Sequence, residues 1–233
     1  MHSEKPWYKT SFRRNLIDMH INDADERFLA ELDAKAYVDL LVKARVDTAI
    51  LYASSCLGIC YWPAPAGHVH RGLRGRDWVA EVLAECKKRE IRPVLYLNFW
   101  SKWAYEHHPD WRTINIDGLG TLDYLWHPGR YGVCCLNSPY REFFLALVRD
   151  LCSRYEAEGL WVDMIGWLSG VCYCGHCRRR YFEETGRQIP TQVDWASADW
   201  VRFQRKREEW AAELVETVTK LVKSLRPGMS VAS

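Results

Sequence analysis

The chain has 233 residues, 48% of them hydrophobic and 27% charged, and its 32 basic and 30 acidic side chains leave a formal net charge of +2. That balance excludes a disordered chain and gives no electrostatic basis for a nucleic-acid or membrane-surface partner. No run approaches 18 apolar residues, and the N-terminal MHSEKPWYKTSFRR lacks a signal-peptide core, so a cytoplasmic location is expected.

Twelve Trp and twelve Tyr are many for this length. About half would fill a core, and the remainder suit stacking on the apolar faces of small ligands, sugars included. Nine cysteines is an odd number, and the grouping of Cys172, Cys174 and Cys177 points to metal ligation in a reducing compartment rather than to a disulfide framework.

In chain order, Arg14 to Ile21 predicts a first strand. Asp33 is a plausible N-cap for a helix with Tyr37, Leu40, Leu41 and Ala44 on one face. Val46 to Ala53 is a nearly continuous apolar strand of the kind buried on both faces of a parallel sheet. A long Gly-, Pro- and His-bearing connection follows, then a helix carrying Trp78, Val79, Val82, Leu83 and Cys86, and a third strand from Arg92 to Phe99.

The connection from Trp100 to Asn137 is longer still, and includes a hairpin-like IDGLGTLDY and the pair Cys134 and Cys135. Loops of that length in a compact domain are usually functional. Ser138 and Pro139 open a third helix with Phe144, Leu147, Val148, Leu151 and Tyr155 aligned, and the stretch from Gly159 begins a fourth strand. A short helix ended by Gly186 and Pro190 and a long one through Trp210, Leu214, Val218, Leu221 and Leu225 lead to MSVAS, the start of a fifth strand.

Strand and helix alternate, and the long loops all follow strands, which gives a parallel α/β fold with those loops on one edge. A doubly wound sheet binding a nucleotide would carry a Gly-rich phosphate turn, and neither G-x-G-x-x-G nor a P-loop occurs. The expectation is therefore a (β/α)8 TIM barrel of which residues 1–233 supply the N-terminal four to five units, a portion of a longer catalytic domain.

Asp163 interrupts an apolar run at the end of the fourth strand, the usual catalytic position of a barrel. An aspartate there could also be a loop or capping residue. Cys172, Cys174 and Cys177 supply three ligands of a structural zinc, and Cys134 or Cys135 could supply the fourth, with His176 a weaker candidate. Free cysteines are the alternative. Rim candidates for binding a small ligand are His20, Tyr52, Trp62, His68, His70, Asn98, Trp100, Trp103 and Trp167, each of which could equally be ordinary loop packing.

The succession MHIND, GHVHRGL, HPDWR, CLNSPYREFF, GLWVDM and C-x-C-x-x-CRRRYFEETG-x-x-IP resembles the group called hypothetical glycosyl hydrolase 6, related to the alpha-L-fucosidases of glycoside hydrolase family 29. The resemblance covers nearly the whole chain. It implies a glycosidase barrel with a retaining mechanism, in which the aspartate ending the fourth strand, matched here by Asp163, is the nucleophile. The cysteine run is also similar to the zinc site of family 42 beta-galactosidases, where an upstream Cys completes the set; Cys134 is taken as that residue, with Cys135 still open. The H-W-G signature of the fucosidases is absent from the first strand.

Retaining hydrolysis needs a second carboxyl as acid/base, expected from a later strand beyond residue 233; Asp18, Asp23 and Asp117 are weak substitutes. The expected substrate is a carbohydrate, with no organic cofactor, no nucleic acid and no membrane, and with any oligomer formed through domains C-terminal to this chain. The rival readings are a non-catalytic carbohydrate-binding barrel with a structural zinc, and a metal-dependent hydrolase.

Overall fold

The computed structural model describes residues 6–124, 130–167 and 170–233. In chain order the elements are β1 (Arg14–Leu16), α1 (Ala34–Lys43), β2 (Thr48–Tyr52), the short β3 (Ile59–Cys60) and β4 (His68–Val69), α2 (Trp78–Lys88) and β5 (Arg92–Asn98). They continue with α3 (Lys102–His107), α4 (Thr121–Tyr124), α5 (Tyr140–Arg154), β6 (Gly159–Asp163), α6 (Gly175–Thr185), α7 (Ala198–Leu225) and β7 (Ser230–Ala232).

β1, β2, β5, β6 and β7 form one wholly parallel sheet in that spatial order. Each strand pairs with its successor in the chain, with no reversal. A doubly wound sheet changes direction at a switch point, whereas a barrel adds strands in sequence. The chain is thus the first five strands of a (β/α)8 barrel, opened out on one side. β3 and β4 make a small separate ladder inside the connection after β2, where the sequence predicts only irregular loop.

Alternation along the strands sorts the side chains. Ala49, Leu51, Leu95, Leu97, Leu160 and Val162 point to the helices and are at most 4% exposed. Burying each leucine or valine there contributes about 1.5–3 kcal/mol. The helices reach that face because they are amphipathic and capped: Asp33 accepts the Ala36 N–H, and Asp77 that of Ala80. In α7 the buried positions are Trp200, Phe203, Trp210, Leu214, Val218 and Val222, a single helical stripe.

The opposite face is the barrel bore. Leu16, Ile50 and Trp161 lie on it only partly buried, beside a groove of about 630 Å³ lined by Ile50, Val94, Trp161 and Ala232 among others. Trp7 crosses the lower end, its indole Nε1 donating to the Glu158 carbonyl at 3.1 Å.

Two expectations about elements need correction. The first strand ends at Leu16, not Ile21, because residues 17–23 leave the sheet and are held instead by contacts such as the Tyr61 hydroxyl on the Met19 carbonyl. On α1 the buried stripe is Ala34, Val38 and Leu41, and Leu40 is 60% exposed, so the helix is rotated from the face read off the sequence.

Candidate active site at the carboxyl edge of the sheet

Tyr52, Asn98 and Asp163 are the last residues of β2, β5 and β6, so the sheet itself brings them to one edge. The parallel register sets Tyr52 against Tyr96 and Asn98 against Asp163. Period-two alternation then places all four side chains on the bore face. Asn98 Nδ2 donates to the Tyr96 hydroxyl at 2.8 Å, and that hydroxyl donates to Asp163 Oδ2 at 2.6 Å. The Asn98 orientation is fixed in turn, because its Oδ1 accepts the Trp100 N–H at 2.9 Å.

Burial, then the hydrogen bond to Asp163, pushes the Tyr96 phenol far above its ordinary range, so it remains a neutral donor to the carboxylate. Among the described residues Asp163 makes no ion pair. A half-buried carboxylate held by a neutral donor keeps its lone pairs free of a competing cation.

A second hydrogen-bonded chain runs beside the first. The Cys56 N–H donates to His20 Nδ1 at 3.1 Å, which puts the proton of the neutral imidazole on Nε2. That Nε2 lies 3.3 Å from the Tyr52 oxygen, and the Tyr52 hydroxyl donates to Asp18 Oδ1 at 3.1 Å. Tyr52 stacks on Tyr96 with ring centroids 4.1 Å apart, joining the two chains. Burial lowers the His20 pKa, with Arg130 acting in the same sense and Asp18 and Asp163 opposing. Arg130 also lies beside Cys56 and Asp18 and brings positive charge to the rim.

The remaining residues singled out from the sequence lie elsewhere. Trp62 is fully buried, its Nε1 donating to Asp150 Oδ2 at 2.8 Å under α5, so it is core and cannot stack on a ligand. His70 is 1% exposed and saturated: Nδ1 accepts the Gly72 N–H and Nε2 faces the Asn22 carbonyl, each at 3.0 Å. Both assignments to ligand binding are corrected. His68 forms a separate group, 2.7 Å from Asp23 Oδ2 and stacked on Trp103 at 5.6 Å. Trp100 is mostly buried and donates to the Gly166 carbonyl at 3.3 Å, bracing the loop after β6. Trp167 is half-buried under the Arg207 guanidinium, 5.1 Å from its ring centre.

Tyr96 was not singled out in the sequence. It could have been, since counting back two from Asn98 along the RPVLYLN strand lands on it.

The cysteines form a second centre. Ligand atoms of Cys135, Cys172, Cys174 and Cys177 all lie within 4.8 Å of one another, and all four residues are buried. Cys134, taken as the fourth member, is not among them: its Sγ faces the Ser101 carbonyl at 3.9 Å. Cys134 sits in an extended bridge with Arg112, and successive residues of extended chain point to opposite sides, so only its neighbour can face the cluster. His176 is outside it as well.

The backbone turns sharply after Asp163. Met164 has φ 59° and Gly166 φ 118°, so the chain leaves the sheet through two left-handed residues and leads toward the cysteines.

The carboxyl edge of this partial (β/α)8 barrel thus carries a strand-end carboxylate, held by a tyrosine and flanked by hydroxyl-, imidazole- and amide-bearing side chains. Residues 33–164, more than half of the chain, match the family described as hypothetical glycosyl hydrolase 6, and the chain belongs to that family. No curated protein matches the sequence.

Among solved structures it is similar to alpha-L-fucosidase isoenzyme 2 from Paenibacillus thiaminolyticus, with 18% identity and a TM-score of 0.79 over 95% of this chain and 32% of that one. It is also similar to an alpha-L-fucosidase of family 29 from Bacteroides thetaiotaomicron, with 15% identity and a TM-score of 0.52 over 87% of this chain and 34% of that one. A third is the alpha-L-fucosidase from Vibrio sp. strain EJY3, at 16% identity and 0.51 over 86% and 27%. The chain thus spans about a third of the length of these structures, and the likeness is one of fold.

Proposed function

We propose that this chain forms the nucleophile-bearing half of a retaining glycosidase site, with Asp163 as the nucleophile and an alpha-L-fucoside or a closely related glycoside as substrate. The observation that carries this reading is the Asp163 carboxylate at the end of β6, oriented by Tyr96 and unpaired by any cation among the described residues. Membership of a glycosyl hydrolase family supports it.

In the first step an Asp163 oxygen bonds to the anomeric carbon as the glycosidic oxygen departs with a proton from the acid/base. In the second, water attacks the glycosyl-enzyme ester, gives its proton to the same base and releases Asp163. Tyr96 keeps the attacking carboxylate in place through both steps. His20, partly buried at the rim, supplies a polar atom for a sugar hydroxyl, while Tyr52, Tyr96 and Asn98, each at most 3% exposed and hydrogen-bonded within the cluster, position the groups around it. On this reading the acid/base would come from a later barrel strand, one that closes the sheet by pairing at the edges formed here by β1 and β7. Asp18 serves Tyr52 rather than the aglycone. No organic cofactor takes part.

The test is aryl-glycoside hydrolysis by the protein carrying the whole barrel. Asp163→Ala should lower kcat/KM by at least about 10³-fold, about 4 kcal/mol. Azide should restore turnover and yield a glycosyl azide of inverted configuration. A barrel that binds sugar but turns over no aryl glycoside, with or without Asp163, would instead be a carbohydrate-binding protein.

A further inference from the structure

The cysteine cluster joins two loops that the sheet alone leaves separate. Cys135 belongs to the long connection between β5 and α5, whereas Cys172 and Cys174 follow β6 and Cys177 lies in the first turn of α6. Other ties between them are the Tyr173 N–H on the Ile114 carbonyl at 2.6 Å and the Trp100 indole N–H on the Gly166 carbonyl at 3.3 Å. All nine cysteines are free, including Cys135 and Cys177, whose sulfurs are 3.3 Å apart.

Four thiols with no carboxylate or imidazole among them form a soft donor set, suited to zinc and unsuited to magnesium or calcium. With Zn–S bonds near 2.3 Å, a tetrahedral site needs sulfurs about 3.8 Å apart. A cluster whose ligand atoms all lie within 4.8 Å reaches that spacing with small side-chain movements.

The surroundings are arranged for negative charge. The Asn137 backbone N–H points at Cys135 Sγ and its Nδ2 at Cys177 Sγ, each at 3.4 Å. Cys174 is the N-cap of α6, where the helix dipole favours an anion. Arg207 stands near Cys172 and Cys177 and pairs with no carboxylate among the described residues; it donates to Gln204 Oε1 at 2.6 Å and to the Gly170 carbonyl at 2.7 Å, and its buried Nε has no hydrogen-bond partner. Those partners are neutral, so a half-buried guanidinium beside four neutral thiols would have no anionic partner. Beside a zinc tetrathiolate of net charge −2 it is matched.

We propose that Cys135, Cys172, Cys174 and Cys177 bind one Zn(II) as four thiolates, and that this ion is a staple holding the loop after β6, with Trp167, against the loop after β5. Four S–H bonds give up their protons to solvent as four Zn–S bonds form, with no change of oxidation state. With all four positions filled by sulfur, no site is left for water or substrate, so the ion acts on loop position and takes no part in bond breaking.

The test is independent of any sugar chemistry. The purified chain should carry about one zinc per molecule, and cobalt replacement should give the strong visible bands of a tetrahedral cobalt thiolate. Cys135→Ser should weaken zinc binding by at least about 100-fold, a larger loss than removal of an outer-shell partner gives. Cys134→Ser should retain the full stoichiometry. Should Cys135→Ser not fold, alkylation of the wild-type chain decides the question: cysteines 135, 172, 174 and 177 should be protected together and released together by a chelator.

Chelation should also speed hydrogen exchange in residues 130–137 and 170–177 while leaving β2 and β5 protected. Absence of both zinc uptake and a cobalt thiolate spectrum, a native Cys135–Cys177 disulfide, or metal lost from Cys134→Ser but kept by Cys135→Ser would overturn the site. Unchanged exchange in both loops on metal removal would overturn the staple.

Discussion

The Tyr96 hydroxyl donates to Asp163 Oδ2 at 2.6 Å, across the β5–β6 boundary. A phenol bonded to an ionised acceptor contributes about 1.5–3 kcal/mol, and it fixes which carboxylate oxygen is free. Tyr96→Phe should therefore lower kcat/KM of the whole barrel by roughly 10- to 100-fold. Because Asn98 Nδ2 also loses its acceptor, the two substitutions should be non-additive: Asn98→Ala should cost less in the Tyr96→Phe background than alone. Steady-state kinetics on the four proteins of that cycle checks both statements.

Burial lowers the pKa of His20, and burial likewise lowers that of His70. The unfolded chain then binds more protons than the folded one from about pH 6.5 down to the folded values, so stability falls on acidification through that window and is flat above it. Carboxylates held low by their partners, such as Asp39 beside Lys35 and Arg89, add losses only below about pH 4. Between pH 7.5 and 5, His70→Gln should accordingly lose less unfolding free energy than the wild type, by up to about 1.4 kcal/mol per pH unit within the window. Urea denaturation at the two pH values measures this, and equal losses would contradict it.

Trp62 distinguishes a core tryptophan from a sugar platform. Trp62→Phe keeps most of the buried volume and removes the donor to Asp150, costing about 1.5–3 kcal/mol of stability. Trp62→Ala should cost about 3–5 kcal/mol. Sugar affinity of the folded Phe variant should match the wild type, as read by calorimetry with the same ligand.

Gly72 lies against the segment between β1 and α1. A Cβ there would fall 1.8 Å from the Phe28 carbonyl oxygen, a backbone atom that cannot swing aside. Gly72→Ala should destabilise the chain by about 1–3 kcal/mol, as overpacking does, and should loosen the segment from Glu26 to Phe28. Thermal unfolding together with proteolysis of that segment reports both effects.

The strands were legible because Val46 to Ala53 and Arg92 to Phe99 are apolar on both faces, and the carboxylate because it breaks such a run. What the sequence hid was direction. Trp62 and His70 lie in a connection whose small β3–β4 ladder turns them inward, and no periodicity announces a two-residue strand. The choice between Cys134 and Cys135 rested on alternation within one extended bridge, which depends on its partner Arg112 many residues upstream. Tyr96 was accessible to counting, but its importance came from parallel register, a relation between two strands.

Met164 is held at φ 59° immediately after the carboxylate. For a side chain with a Cβ that conformation costs roughly 1–2 kcal/mol. A saturation library at this position, sorted for folding alone, should therefore enrich glycine and asparagine and deplete valine and isoleucine. The residue after Asp163 would be one at which selection for stability and the natural choice of side chain pull apart.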